Sequence, residues 1–441
     1  MWDEARTLVM GVLNATDDSF AGDGLGDDVD ALLSRGLRMA IDGADLLDIG
    51  AASSRPGHAE VQEELELARA ARAVDALAAR IALPISVDTT RPAVARACLD
   101  RGATMINDVS GLADERLAAL AADRRARLIL VHSRASQRSR AERETHPEAI
   151  VEEVRAFLAD ARDRAGAQGV ARERLLIDPG LGFAKTAAES FALMRRLETL
   201  AEIAPVVAGP SRKGHLGVVT GRAVAERAFA TASAVASAVL HGARVVRVHD
   251  VAEMVDVVRV ADAVRYGATS HPPRIAFVGL GANLGDRRAT LVCAIAALRS
   301  VGTVRAVSAL WESAPQIVAD QPPFLNAVAA VSVPRVSPGE LVVRLKTIER
   351  ELGRADGPRY GPREIDLDLL LFAGSREVEL TGAVVVPHPR LSERRFALAP
   401  LAELAPNERV PPSGLEVRVL LSRVTDQPAE CVDGGGWWKT A

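Results

Sequence analysis

Residues 84–108 read PISVDTTRPAVARACLDRGATMIND. Two short apolar runs enclose a helix-like stretch, and the runs end in Asp88 and in Asn107 and Asp108. Strand-like runs that alternate with helix-like stretches predict a parallel sheet. A polar residue at the end of each run predicts in addition that one edge of this sheet carries chemistry.

The same arrangement recurs along the first 250 residues. Eight apolar runs close on residues capable of chemistry: TLVMGVLN, DLLDIG, PISVD, TMIND, RLILVH, LLIDPG, PVVAGPSRK and RVVRVHD. Eight parallel strands with polar carboxyl ends are typical of a (β/α)8 barrel, whose active site lies on that face. The sequence therefore predicts an α/β enzyme built on a TIM barrel.

Composition narrows the class of protein. The 441 residues are too many for one ordinary core, and 48% hydrophobic with 25% charged residues is typical of a globular protein. A net charge of −4 argues against a nucleic-acid partner, although local Arg and Lys clusters could still bind small anions. The three cysteines are widely spaced and predict neither disulfides nor a zinc site. With no leader pattern and no run of about 18 apolar residues, we expect a cytoplasmic protein without a membrane partner.

A change of pattern near residues 268–274 predicts the domain boundary. The helix-like run 251–267 ends near Gly267, and Pro272 and Pro273 cannot continue a helix. We expect a barrel over 1–267, an antiparallel α+β domain over 274–424 and a loose tail over 425–441. In the second domain, the runs IAFVGLG, TVRAVSALWES, FLNAVAAVSV and IDLDLLLF are predicted strands. Ser337 should cap the second helix there, with Glu340 completing a capping box.

Polar residues at the predicted barrel mouth form the first candidate site. Asp88, Asn107 and Asp178 could hold a flat heterocycle that carries both donors and acceptors. Lys213 and Arg247 bring positive charge to the same face, which suits a substrate with an anionic tail. At Asp48 and His132 a structural role and a functional role both stay open. At Asp108 and Asp250 the structural role is favoured.

A pair of carboxylates marks the second candidate site. Asp366 and Asp368 are two residues apart in an otherwise apolar run, so both side chains should project from one face of a strand. Burying such a pair is costly unless a cation neutralises it, and Mg²⁺ is the natural partner. Three upstream arginines could bind ATP phosphates: Arg354, Arg359 and Arg363. The competing interpretation is an edge strand with solvated acids.

Seven ordered segments over about 5–255 resemble dihydropteroate synthase: NATDDSF, DIGAASSRPG, SVDTTRP, INDVSG, IDPGLGFAKT, GPSRKG and RVHDV. The resemblance implies a (β/α)8 enzyme that joins 4-aminobenzoate to 6-hydroxymethyl-7,8-dihydropterin diphosphate and releases pyrophosphate with Mg²⁺. Such an enzyme must neutralise the leaving group and place a weakly basic amine, and it needs no strong nucleophile.

Matching positions imply the roles of individual residues. Asn14 would help to hold the metal-pyrophosphate. The pterin would be held by Asp88, Asn107, Asp178 and Lys213, with Phe183 beside it. The diphosphate would be bound by Ser54, Arg55, Arg247 and His249. The aminobenzoate would lie beside the loop around Ser54–Pro56, with Lys213 and Ser211. Lys213 and Arg247 are the expected catalytic residues of this site.

The chain also departs from the pattern of that family. Asp17 stands where the family usually has proline, Ala51 and Ala52 replace a glycine and a glutamate, and Ser54 replaces threonine. The segment VHSRA replaces a Met-His-Met-like one. A flexible, more negative first loop predicts weaker aminobenzoate and sulfonamide binding, because ordering the loop costs entropy and the added carboxylate repels anions.

Five segments over about 274–410 resemble 6-hydroxymethyl-7,8-dihydropterin pyrophosphokinase: GLGANLGDR, DQPPFLNAV, ELGR, RYGPREIDLDLL and PHPRLSERRFALAPL. The resemblance implies a ferredoxin-like α+β fold and transfer of pyrophosphate from ATP to the pterin, with release of AMP. Asp366 and Asp368 would hold two Mg²⁺ ions. Asn326 and Phe396 would contact the pterin, with Phe324 nearby. The nucleotide or its phosphates would contact Glu349, Arg354, Arg363, His388 and Arg394, and Arg363 is the expected catalytic residue. Tyr360 replaces a common Trp, and Asp356 lies where some members have Arg.

The two resemblances support each other, because the product of the second domain is the substrate of the first. We therefore predict a bifunctional transferase of folate biosynthesis that uses ATP and Mg²⁺ and dimerises through the barrel. Two alternatives stay open at this point: a barrel that binds pterin without catalysis beside an active kinase, and a pterin-dependent methyltransferase barrel. The segment GPSRKG and the fused kinase argue against the second alternative.

Overall fold

The computed structural model describes residues 6–16, 24, 28–52, 61–134, 147–267, 271–316, 320–355 and 361–439. The chain divides into two compact units, Met1–Ala78 with Leu83–Thr269, and Ala79–Ala82 with Ser270–Ala441.

The first unit is built around eight parallel strands. They are β1 (Leu8–Asn14), β2 (Leu46–Gly50), β3 (Ile85–Asp88), β4 (Met105–Asp108), β5 (Arg127–Val131), β6 (Leu175–Asp178), β7 (Val207–Ala208) and β8 (Val245–Val248). Their order, β6-β5-β4-β3-β2-β1-β8-β7, is that of an unrolled barrel. A parallel bridge between Ile177 and Val206 connects the two ends of this order. The predicted TIM barrel is confirmed, and the eight strands match the eight apolar runs.

Helices connect consecutive strands. They are α1 (Val29–Asp42), α2 (Glu63–Ala78), α3 (Pro92–Leu99), α4 (Arg116–Asp123), α5 (Ala149–Ala167), α6 (Ala187–Arg195), α7 (Leu197–Ala201), α8 (Gly214–Thr220), α9 (Ala228–Leu240) and α10 (Val251–Tyr266). Local signals set their ends: Asp28 caps α1 by accepting from the Ala31 amide. Thr186 and Glu189 form a capping box at α6. α10 ends at Gly267, as predicted, in a left-handed conformation.

Apolar side chains from the strands fill the inside of the barrel. Leu8, Met10, Leu46, Met105 and Ile129 belong to one buried cluster, and Phe183 packs against it from the side. Barrel interiors are layers of branched and long apolar residues rather than a pore. The polar residues at the carboxyl ends of the strands therefore lie above a closed apolar floor.

The second unit is an antiparallel sheet with helices, so the predicted α+β class is confirmed. Its main sheet contains β9 (Arg274–Ala282), β10 (Thr303–Val307), β11 (Leu310–Ser313), β12 (Phe324–Val333), β13 (Asp366–Phe372) and β18 (Ala429–Asp433). The order is β13-β9-β12-β11-β18, with β10 also paired to β12. Two short hairpins are added, β14 (Glu379–Thr381) with β15 (Val384–Val386) and β16 (Arg409–Val410) with β17 (Leu415–Glu416). β12 is buried without alternation from Leu325 to Val331, as expected for a strand covered on both faces.

Four α-helices of this unit are α11 (Arg287–Ala297), α12 (Pro338–Glu351), α13 (Arg395–Leu404) and α14 (Val417–Leu421). The last two had not been predicted. Ser337 caps α12 by accepting from the Glu340 amide at 3.2 Å, as expected. Glu340 was expected to complete a capping box, but its carboxylate instead accepts from Arg344 at 2.6 Å.

Two predictions for this unit are corrected. The run TVRAVSALWES was predicted as one strand, but it forms β10 and β11, because the Ser308 hydroxyl accepts from the Val328 amide at 2.9 Å and interrupts the ladder between them. The last residues were predicted as a loose tail, but β18 pairs with β11. Trp437 is buried, and its indole N–H donates to the Ser308 carbonyl at 3.0 Å.

None of the helices formed by the described residues combines the length and the apolar composition needed to cross a membrane.

Candidate active sites

The parallel strands bring the predicted residues of the first site to one end of the barrel. Asn14, Asp88 and Asp178 are the last residues of β1, β3 and β6. Asn107 lies at the end of β4, and His249 follows β8 directly. Ser54, Arg55 and Asp17 were also assigned to this end, and they lie outside the described residues.

Buried ionic contacts organise the floor of this site. Arg247 donates from Nε to Asp48 Oδ2 at 2.7 Å and from Nη2 to Asp88 Oδ2 at 3.2 Å. Asn107 Nδ2 donates to the same Asp48 oxygen at 3.0 Å. Asp48, which the sequence left between structural and functional roles, is thus the buried carboxylate that orients both Arg247 and Asn107.

Burial and crowding change the charge of this floor. Burial, followed by the neighbouring Asp48 carboxylate, raises the pKa of Asp88 to about 7, although Arg247 opposes the shift. Asp88 can therefore offer either a donor or an acceptor near neutral pH. A pterin ring carries both kinds of group along one edge, so such a carboxyl suits it.

Two buried acceptors have no partner among the described residues. These atoms are Asp48 Oδ1 and Asn107 Oδ1, on side chains that are 0% and 4% exposed. An unsatisfied buried acceptor costs about 1–3 kcal/mol, and such groups are rare in native structures. A ligand with N–H donors would satisfy both atoms, which supports the pterin assignment.

Lys213 lies in the segment that follows β7, and its side chain contacts the loop after β6. Its ammonium donates to the Leu181 carbonyl at 2.5 Å and lies 4.5 Å from the centre of the Phe183 ring. Burial lowers the pKa of Lys213 to about 8, although Asp178 opposes the shift. A Cβ placed on Gly209 would lie within 3.8 Å of both Arg247 Cβ and Lys213 Nζ. The charges of Lys213 and Arg247 both oppose the rise in the pKa of Asp178 that burial causes, so both cations act on the same carboxylate of the barrel mouth.

The loop after β6 is held from below by a lysine that sequence reasoning did not assign. Lys185 is 4% exposed, and its ammonium donates to the carbonyls of Gly180 at 2.9 Å and His132 at 3.1 Å. Burial, reinforced by Lys213, lowers the pKa of Lys185 to about 7. Gly180 has φ +65°, and a Cβ there would lie 1.8 Å from the His132 carbonyl oxygen, so only glycine fits. The segment that carries Phe183 is therefore rigidly placed.

The other predicted residues of this unit have structural contacts. Asp108 accepts from the amides of Ser110 and Leu112 at 2.9 and 2.7 Å, which confirms its structural role. Asp250 accepts from Arg212 Nε at 3.0 Å, which confirms the same for Asp250. His132 is 3% exposed, and burial lowers its pKa to about 3, so it is a neutral barrel histidine.

Ser211 and His249 form a pair at the side of the mouth. The Ser211 hydroxyl lies 2.9 Å from His249 Nδ1 and accepts from the His249 amide at 3.3 Å. Ser211 is 3% exposed. Its contact with His249 orients the imidazole at the end of β8.

In the second unit a cavity of about 340 Å³ opens beside the carboxyl pair. Asp366 and Asp368 line it, while Leu367 and Leu369 point into the buried core on the opposite side of the strand. The predicted alternation of this strand is confirmed at its start. A bulge follows between Leu369 and Leu371.

Three cations surround Asp366. Arg354 Nη1 donates to Asp366 Oδ1 at 2.6 Å, Arg363 Nη1 donates to Oδ2 at 2.8 Å, and Lys346 Nζ lies 3.5 Å from Oδ1. Burial alone would raise its pKa, but Lys346, Arg363 and Arg354 together hold the pKa of Asp366 below its ordinary value. Asp366 is therefore ionised, and it fixes the two arginines at the cavity wall. Arg359, Asp356 and Tyr360 lie outside the described residues.

Glu349 lies behind this group and is 2% exposed. Its carboxylate accepts from the Leu367 amide and from Lys346 Nζ, both at 2.6 Å. It also accepts from Arg354 at 2.5 Å. The sequence placed Glu349 near the nucleotide, and the structure gives it contacts that position Lys346, Arg354 and β13.

Asn283 explains part of the segment GLGANLGDR. Its side-chain oxygen accepts from the Arg363 amide at 2.8 Å, and its amide group donates to Gln321 and to the Pro322 carbonyl, each at 3.1 Å. Asn283 therefore joins the entry of β13 to the residues before β12. Sequence reasoning assigned this residue no role.

Aromatic and amide side chains line the same cavity. Phe324, Asn326 and Phe396 line it. Asn326 is 4% exposed, and its Nδ2 donates to Ser313 Oγ at 3.0 Å. His388 and Arg394 line the same cavity, and the Arg394 guanidinium lies 5.5 Å from the Phe396 ring centre. One cavity thus combines a place for a flat ring with a place for phosphates.

The carboxyl pair fits a hard divalent cation. Lys346 Nζ lies 3.5 and 3.6 Å from Asp366 Oδ1 and Asp368 Oδ1, so a positive charge already bridges the two carboxylates. Within the parts of the chain that the structure describes, no group of three or more His, Cys, Asp or Glu could hold a metal ion. Two carboxylates alone suit Mg²⁺, which usually takes its other ligands from water and substrate phosphates.

Comparisons with known proteins match two regions of the chain. The family model "Pterin binding enzyme" matches residues 10–249, and the model "7,8-dihydro-6-hydroxymethylpterin-pyrophosphokinase (HPPK)" matches residues 277–406. Dihydropteroate synthase of Mycobacterium leprae is 42% identical over 59% of this chain and 94% of its own length. The Synechocystis enzyme of the same name is 38% identical over 58% of this chain and 90% of its own length.

Solved structures give the same result for the fold. A dihydropteroate synthase of Yersinia pestis, solved in complex with a sulfonamide drug, superposes with a TM-score of 0.56 and is 34% identical. The match covers 60% of this chain and 96% of that one. The chain therefore belongs to the family of pterin binding enzymes, with a dihydropteroate synthase region followed by a hydroxymethylpterin pyrophosphokinase region.

Proposed function

We propose that this chain catalyses two consecutive steps of folate biosynthesis. The second unit transfers pyrophosphate from ATP to 6-hydroxymethyl-7,8-dihydropterin, and the first unit joins the product to 4-aminobenzoate. The observation that carries the proposal is the presence of both regions in one chain, since the product of one reaction is the substrate of the other.

For the kinase step, the proposal assigns the pterin ring to Asn326 and Phe396 and the nucleotide to the charged side chains that line the same cavity. The hydroxymethyl oxygen attacks the β-phosphorus of ATP and releases its proton to solvent. The bond from that phosphorus to the oxygen of the α-phosphate breaks, and AMP leaves. Arg354 and Arg363 bind phosphate oxygens and neutralise the charge that develops there. His388 and Arg394 complete the phosphate-binding wall, and Glu349 positions Arg354.

Mg²⁺, held by Asp366 and Asp368, would neutralise the phosphates and draw electron density from the phosphorus under attack. The ammonium that bridges the two carboxylates supports this assignment, because it marks the place of a cation. Asn14 is the proposed contact for a metal-pyrophosphate in the barrel.

For the synthase step, the proposal places the pterin on Asp88, Asn107 and Asp178, above the apolar floor of the barrel. The bond between the methylene carbon and the diphosphate oxygen breaks, and the aminobenzoate nitrogen forms the new bond to that carbon and releases a proton to solvent. Lys213 and Arg247 neutralise the departing pyrophosphate, together with Ser54, Arg55 and His249. Phe183 lies beside the pterin, and Ser211 borders the aminobenzoate.

We further propose that the barrel forms a homodimer through its last helices. Exposed apolar side chains occur on three consecutive helices, α8, α9 and α10, where Phe229 is 89% and Val218 is 73% exposed. Val260 and Val264 are 67% and 70% exposed and lie one turn apart on α10. Such a concentration of apolar surface supports association through this side. A cytoplasmic location and the lack of nucleic-acid partners are predictions from the sequence.

The test is an incubation of the purified chain with hydroxymethyldihydropterin, ATP, Mg²⁺ and 4-aminobenzoate. The proposal expects equal amounts of AMP and dihydropteroate. Accumulation of the pterin diphosphate alone would show a barrel without catalysis. Absence of AMP would contradict the kinase assignment.

A further inference from the structure

Lys346 is unusual in this chain because lysine itself is rare. Of the 54 basic residues only four are lysines: Lys185, Lys213, Lys346 and Lys439. Arginine presents a planar fork of donors, whereas lysine is a compact point charge. At position 346 the positive charge is therefore a compact ammonium rather than a planar fork.

The contacts of Lys346 are those of a compact cation. Its ammonium lies 2.6 Å from Glu349 Oε1 and 3.0 Å from the Leu367 carbonyl, and it reaches Asp366 and Asp368 at 3.5 and 3.6 Å. Oxygen atoms of four residues therefore surround it, as they would surround a metal ion. Arg354 and Arg363, in contrast, each reach Asp366 through a directed N–H.

The charge of Asp368 is balanced by the Lys346 ammonium. Among the described residues, Lys346 is the cation that forms an ion pair with Asp368, whereas Asp366 has Arg354 and Arg363 as well. Carboxylates so close together repel each other, and a cation between them offsets that repulsion. In the metal-free protein Lys346 therefore does what a divalent cation would do.

We propose that Lys346 is a resident counter-ion of the Asp366 and Asp368 pair, and that a divalent cation displaces it from between the two carboxylates. The inference rests on the proposed metal site of the kinase. Mg²⁺ binds oxygen at about 2.1 Å, which leaves no room for an ammonium in contact with the same two oxygens. The two short contacts, to Glu349 and Leu367, can persist while the two long ones are lost. Lys346 then moves to the cavity wall rather than leaving the site.

The scarcity of lysine allows a direct test of this displacement. Protein labelled with ¹³C and ¹⁵N only in lysine has four side-chain signals, and the Lys346 signal is the one lost in Lys346→Arg. Titration with Mg²⁺ alone should shift the Lys346 signal, while the Lys439 signal, from the same unit, should stay in place. The shift should follow the same saturation curve as Mn²⁺ binding measured by water proton relaxation.

Metal affinity gives a second, independent measurement. Lys346→Met removes the competing charge and should bind Mn²⁺ about ten-fold more tightly, which corresponds to about 1.4 kcal/mol. Lys346→Arg keeps the charge and should not tighten binding. Asp368→Asn should weaken binding in either background.

The outcomes separate this inference from the proposed function. If Mn²⁺ binds and Asp368→Asn weakens its binding, but the Lys346 signal does not move and Lys346→Met has unchanged affinity, the displacement is wrong and the metal site stands. If neither Mg²⁺ nor Mn²⁺ binds to the natural chain or to Lys346→Met, the proposed metal site is wrong, and so is the proposed displacement of Lys346.

Discussion

Replacement of Asp48 by alanine tests the floor of the barrel site. Asp48 is fully buried and accepts from Arg247 at 2.7 Å and from Asn107 at 3.0 Å. Alanine would leave Arg247 with Asp88 as its carboxylate partner and would free the Asn107 amide. Hydrogen bonds to charged groups contribute about 1.5–3 kcal/mol each, and breaking a buried ion pair costs about 3–5 kcal/mol.

The matched control is Asp45→Ala, because Asp45 directly precedes β2 and lies three residues before Asp48. Asp45 is 4% exposed, and it accepts from Arg6 at 2.9 Å and from the Val9 amide at 2.9 Å. Both variants should therefore be less stable than the natural chain. The loss should be about 3 kcal/mol in Asp48→Ala and smaller in Asp45→Ala, because the Arg6 side chain is 41% exposed and solvent screens its charge. Only Asp48→Ala should lose synthase activity, because only it releases residues of the mouth.

The assay combines urea unfolding, followed by circular dichroism, with synthase kinetics on supplied pterin diphosphate. We expect kcat/KM to fall at least about 30-fold in Asp48→Ala, which corresponds to about 2 kcal/mol, and to change less than two-fold in Asp45→Ala. Equal kinetic losses in the two variants would refute the reasoning, because the effect would then come from general destabilisation. Unchanged kcat/KM in Asp48→Ala would refute it as well.

Three further predictions follow from single residues. Lys213→Ala should lose most synthase turnover with supplied pterin diphosphate, while its circular dichroism spectrum should stay the same. Unchanged turnover would show that Lys213 does not belong to the synthase site. Burial raises the pKa of Asp88 from 3.8 to about 7, so its contribution to stability is fully present below about pH 4 and is lost as the pH rises through 7. Unfolding free energies measured from pH 4 to 8 should therefore depend less on pH in Asp88→Asn, and an identical slope would contradict the assignment. Asp17→Pro should lower both the KM for aminobenzoate and the inhibition constant of a sulfonamide, measured at one Mg²⁺ concentration. If the variant binds either compound equally or more weakly than the natural chain, Asp17 does not weaken binding.

The barrel could be predicted because its signal repeats. Each apolar run is short and has polar residues at or near its carboxyl end, and Asn14, Asp88, Asp108 and Asp178 are the last residues of their strands. The strand face shared by Asp366 and Asp368 was equally readable, since side chains alternate along a strand.

Other features depend on contacts between residues far apart in the chain, which no local pattern reports. Asp48 binds a partner 199 positions away, so its role could not be read from the run DLLDIG. Lys346 looks like one of many charges on a helix until β13 is placed beside it. The last strand was missed for the same reason, because the pairing of β18 with β11 joins distant residues.

The most direct test of the central claim is a pair of complementary variants measured in two assays. Asp366→Ala with Asp368→Ala should make no dihydropteroate from hydroxymethyldihydropterin, ATP and aminobenzoate, but should make it at the natural rate from supplied pterin diphosphate. Lys213→Ala should show the opposite behaviour, with normal AMP release and little dihydropteroate from either substrate. If the double variant forms AMP at the natural rate, or if Lys213→Ala forms dihydropteroate at the natural rate, the assignment of one reaction to each unit is wrong.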